Sequence, residues 1–93
     1  MTPSSGWTTP HGLIESVEFT AQKNLLDIDP KELDHATWAL TWAMSTEPEH
    51  FDEVAWGVRI AVTRPFGSLP ALLILFRTDI ERWECEMLWL EHL

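Results

Sequence analysis

This sequence has a single cysteine, few cations and no long apolar run. One thiol, Cys85, excludes an intrachain disulfide framework. It also excludes a zinc site built from several cysteines of one chain. Six Lys and Arg face fifteen Asp and Glu, for a net charge of −9 and a pI near 4.6. A basic face able to neutralise phosphates is therefore not expected, which argues against nonspecific nucleic-acid binding and against docking on anionic lipid. The longest apolar stretch, Leu69 to Phe76, contains Pro70 and is too short to span a bilayer. Met1 to Gly12 lacks the basic and apolar regions of a signal peptide. These absences lead to the expectation of a soluble, cytoplasmic protein with no membrane contact.

Tyr is also missing, whereas Trp occurs six times in 93 residues. Hydrophobic residues make up 45% and charged residues 23%, an ordinary globular balance for one domain with one modest core. Residues 1–12, rich in Thr, Ser, Pro and Gly, read as a flexible N-terminal leader with Trp7 as an anchor. Residues 13–93 read as a single α+β domain. Leu13 to Phe19 alternates like a short strand, and Thr20 can cap a short helix from Ala21 to Leu26. The clearest start signal follows: Asp29 as N-cap, Pro30 at the first helical position and Glu32 at N3 predict a helix from Pro30 to about Thr46, with Pro48 just beyond. Leu33, Ala36, Leu40 and Met44 form its core stripe. Trp38 and Trp42 lie nearly opposite, with Lys31, Asp34, His35 and Ser45. After an acidic loop, three strands are expected, at Ala55 to Thr63, Leu69 to Arg77 and Arg82 to Glu91, joined as an antiparallel meander. The predicted order is strand-helix-helix-strand-strand-strand, a two-layer sandwich with a four-stranded, mostly antiparallel sheet.

Several segments, taken in order, resemble the RelE/ParE superfamily of small bacterial toxins from toxin–antitoxin pairs. "VEFTAQKNLLDIDPKELDHATWAL" is similar to the family's opening strand and two helices. "WGVRI" resembles its second strand, "LLILFRTD" its third and "EMLWLEHL" its last. The resemblance implies ribosome-dependent messenger RNA cleavage or gyrase poisoning, intact or degenerate, held in check by a bound antitoxin. It places Arg59 and Arg77 at the family's basic strand positions and His92 near its terminal His. An endoribonuclease of this type works without metal or other cofactor.

The residues themselves leave two readings open at each point. Metal-free RNA cleavage needs a base, cations to stabilise the phosphorane and an acid. Arg59, Arg77 and Arg82 could supply the cations, and His92 the acid–base group. The acidic surroundings favour the alternative, in which these arginines are solvated strand-end residues paired with Glu84, Glu86 or Asp79. His35 beside Asp34, and His50 beside Glu49, Asp52 and Glu53, do not make a metal pair on one helix face. Trp38 and Trp42, with His35, are the candidate partner-binding residues, because indoles bury large area and keep a polar handle; cover from within the monomer is the alternative. Trp56, Trp83 and Trp89 read as core or sheet-face packing, and Cys85, between glutamates, as an inert thiol. Beside the toxin reading stands a second class, a non-enzymatic acidic module, immunity-like or nucleic-acid-mimicking, that blocks a basic protein surface. A homodimer is left open.

Overall fold

The computed structural model describes residues 12–79 and 81–93. In chain order it contains β1 (Gly12–Glu15), α1 (Val17–Leu25), α2 (Pro30–Thr46), a 3-10 turn (Pro48–His50), β2 (Glu53–Ala55), β3 (Val58–Val62), β4 (Leu72–Asp79) and β5 (Glu84–His92). All five strands share one sheet in the order β1-β5-β4-β3-β2. β1 runs parallel to β5, and the remaining neighbours are antiparallel. The class is α+β, as the sequence implied. The sheet, however, is five-stranded and mixed rather than four-stranded. The residues read as a leader, including Trp7, lie outside the described ones, except that Gly12 opens β1.

α2 obeys its sequence signals. The Asp29 carboxylate accepts from the Lys31 N–H at 2.9 Å, and Leu33 and Met44 are buried on its inner face, with Ala36 and Leu40 packed beside them. Glu32 does not close a capping box: its carboxylate accepts from the Ser68 hydroxyl instead. Ser45, expected on the outer side, is buried.

The first helix departs from expectation. The strand ends at Glu15, and Ser16 caps a helix that begins at Val17, four residues before the predicted start. Ser16 Oγ accepts from the Phe19 N–H at 3.0 Å and donates to the Leu88 carbonyl at 3.0 Å, while its N–H donates to the Met87 carbonyl. One serine thus ends a strand, starts a helix and joins both to β5. α1 then lies along the β5 edge where β1 stops. Gln22 Nε2 donates to the Leu90 carbonyl at 3.3 Å, so side chains satisfy β5 carbonyls that no strand reaches.

The predicted strand at 55–63 is a hairpin. Ala55 pairs with Val58, and Trp56-Gly57 is a two-residue turn between β2 and β3. Its core-facing residues are Ala61 and Thr63, both buried. Thr63 Oγ1 accepts from the Leu72 N–H at 2.8 Å, which settles its burial. The more apolar set, Val58, Ile60 and Val62, faces the other way, and neither described helix covers that side. There it meets Leu73 and Leu75 of β4 and Trp89 of β5, which are register neighbours on the same face.

The core lies between α2, α1 and the inner face of β4 and β5. Phe76, Leu72, Ile74, Leu90 and Met44 are wholly buried. Each such side chain contributes roughly 1.5–3 kcal/mol. Phe51, from the stretch between the 3-10 turn and β2, meets Phe76 edge-on with centroids 5.3 Å apart. That contact seats the bare end of the sheet on the core.

Candidate functional site

The three residues singled out for RNA cleavage do not converge. Arg59 sits on β3 opposite Phe76, and its guanidinium donates to the Phe51 carbonyl at 2.6 Å. Arg77 follows Phe76 on β4 and so projects from the opposite sheet face. There Nε and Nη2 both donate to Glu86 Oε1, at 3.2 and 2.9 Å. His92 pairs with Leu72, four residues along β4 from the Arg59 position, about 13 Å at strand rise. General acid–base work needs groups within hydrogen-bond reach of one reacting atom. This arrangement supplies no such point. Arg82 lies 3.9 Å from Asp79. The pairing of Arg77 and Arg82 with nearby carboxylates follows the solvated reading, whereas Arg59 finds a backbone carbonyl that the sequence did not reveal.

Trp38 and Trp42 are 73% and 55% exposed on the outer side of α2. His35, on the same helix, tilts against Phe66 with ring centroids 5.8 Å apart, which docks the 63–71 loop onto α2. The indoles therefore stay at the surface, while His35 is engaged by the protein's own loop.

Between α1 and α2, over the inner side of β1, opens a cleft of about 330 Å³. Leu13, Phe19, Leu33, Ile74 and Met87 form its apolar lining, and Trp38, Asp34, Thr37 and Thr41 stand on the α2 side. Across from them, Lys23 Nζ donates to both Glu15 carboxylate oxygens, at 3.0 and 2.8 Å. Burial by itself would raise the Glu15 carboxyl. Hydrogen bonds from Lys23 and Thr20, together with the Lys23 charge, outweigh it and hold the group below its ordinary 4.5. This cleft was not read from the sequence, because it needs β1, α1 and α2 to meet. The Glu15–Lys23 spacing across an unrecognised strand–helix junction was its only signal.

Cys85 is buried, and desolvation pushes its thiol up to about 12, which leaves it protonated and unreactive at neutral pH. Among the described residues no group of three or more His, Cys, Asp or Glu is placed to hold a metal ion. No helix among them is long and apolar enough to cross a membrane.

Trp56 overturns its sequence reading outright. It was expected to pack on the sheet, yet it is 99% exposed at the tip of the β2–β3 hairpin. Trp83 is likewise largely outside the core, in the turn before β5, with a left-handed backbone at φ 56°. Comparison with known proteins returns no match: no family model, no curated protein and no solved structure is similar to the chain.

Proposed function

We propose that this chain is a non-enzymatic, acidic interaction module that holds a basic partner protein. One observation carries the reading. Arg59 and Arg77 project from opposite faces of the sheet and, with Arg82, lie against the chain's own oxygen atoms, while carboxylates outnumber cations fifteen to six. Such a surface attracts a basic partner over long range and raises its association rate. Trp38 and Trp42, beside the cleft, supply the apolar contact that charge alone lacks. The test is capture of binding proteins on the immobilised chain at increasing salt. The expected result is a basic partner whose yield falls steeply as salt rises and falls again with Trp38→Ala and Trp42→Ala. Capture that ignores salt overturns the reading.

The order strand, helix, helix and then hairpins supports a second reading. In it the chain is a RelE/ParE-like growth-arrest component, intact or degenerate, directed at the ribosome or gyrase and neutralised by an antitoxin. Arrest on induced expression that disappears with Arg59→Ala or Arg77→Ala would favour this alternative. No arrest, or arrest indifferent to both, removes it.

A further inference from the structure

We infer that the β2–β3 hairpin tip is a preformed docking element, with Trp56 as an anchor that enters an apolar socket ringed by Lys or Arg on a partner protein. The inference rests on the reading of the chain as an acidic module, and it assigns that module a surface away from α2.

Trp56 lies outside the core. At 99% exposure its indole touches almost nothing of its own protein, and a two-residue turn ordinarily favours Gly, Asn, Asp or Pro. Its backbone is nevertheless well held. Gly57 takes φ +72°, with open space where a side chain would stand. The Glu53 carboxylate reaches across the turn to accept from the Gly57 N–H at 2.7 Å. At the base of the ribbon, the Ile60 N–H donates to the Asp52 carbonyl at 3.0 Å, and Arg59 ties the strand to Phe51. An anchor already fixed in its projecting position loses less entropy on binding than one that must be ordered. Trp is also the residue type most enriched among binding hot spots.

Charge decides the occupant. β2 is an edge strand with all three residues exposed, so a second copy could in principle add to it. That would bring two copies of the acidic 49–53 stretch together, and like charges across a strand pair are unfavourable. The same carboxylates welcome a basic rim. Arg59, the nearest cation in sequence, is turned inward to Phe51.

The experiment uses the full chain labelled with 5-fluorotryptophan, its six resonances assigned by single Trp→Phe variants. Two probes of equal charge are titrated: decalysine, and an amphipathic leucine–lysine peptide. The amphipathic peptide should shift the Trp56 resonance, and Trp56→Ala should weaken its binding by about tenfold. Decalysine binding, which uses charge alone, should change less than about twofold. A thermal melt of Trp56→Ala confirms that the variant is folded. If the peptide shifts Trp38 and Trp42 but leaves Trp56 unmoved, the hairpin assignment falls and the module reading stands. If neither peptide binds at low salt, the module reading falls with it. Self-association that Trp56→Ala abolishes would make the occupant a second copy and overturn the basic partner.

Discussion

The two edges of this sheet are built in opposite ways. On one side β1 pairs with only the first part of β5, and α1 takes over where it stops. Ser16 and Gln22 supply the hydrogen bonds that a longer strand would have made. On the other side β2 is three residues long and nothing described covers it. Exposed edges invite pairing with other chains, and proteins blunt them with short strands and charge. Here the first edge is closed by polar side chains of a helix, the second by brevity and carboxylates. A surface left open in this second manner remains usable for recognition, whereas the first is spent on stability.

That contrast can be broken by mutation. The largest effect belongs to β4, the central strand between the two edges: Phe76→Ala should destabilise the fold by about 3–5 kcal/mol in urea titration, because it empties the wholly buried centre. At the closed edge, Ser16→Ala removes both a helix cap and a bond to β5, and should cost about 1–2 kcal/mol in the same assay. At the open edge, Gly57→Ala forces a side chain into a left-handed turn and should cost about 1 kcal/mol. A smaller effect separates the edges by pH. Glu15 is depressed in the folded state, so the stability it contributes is complete above its ordinary 4.5 and is lost as pH falls through the lowered value. Lys23→Met should flatten the acid limb of the stability curve in that range. The smallest effect is Trp56→Ser, expected within about 0.5 kcal/mol of the parent. If it destabilises as much as Ser16→Ala, the hairpin is part of the folding unit and the contrast is wrong.

Local chemistry was legible in the sequence, and its limits are instructive. The start of α2 was legible to the residue, because Asp29-Pro30 is an unambiguous signal, and its end was legible approximately from Pro48 just beyond. The α1 boundary was hidden by the alternation of Leu13, Val17 and Phe19, which fits a strand. The deciding group, Ser16, is recognisable as a cap only when β5 stands beside it. The hairpin turn carries Trp-Gly rather than Asn-Gly or Asp-Gly, so it passed for strand interior. Along β3 the less apolar residues are the buried ones. Ala61 and Thr63 go inward, and Thr63 Oγ1 is satisfied there by the Leu72 N–H of β4, a partner that β3 alone does not reveal. The solvated pairing of Arg77 was correctly anticipated from neighbouring glutamates, since cross-strand partners on adjoining strands are short-range in a meander. The separation of Arg59 from Arg77 follows from simple alternation about Phe76. The cleft and the parallel β1–β5 pair depend on distant segments meeting, and nothing local announces them.

The junction of Ser16 with Leu88 spans 72 positions of the chain. Loop closure over that distance must be met before the contact returns any free energy, which places it late in assembly. During vectorial synthesis the residues up to the 81–83 turn emerge with Phe19 lacking a wall to rest against. Only when the final strand arrives can the opening segment be zipped down beside it. Refolding should therefore be paced by this last closure, and a nascent chain halted before residue 84 would display its greasy interior to chaperones.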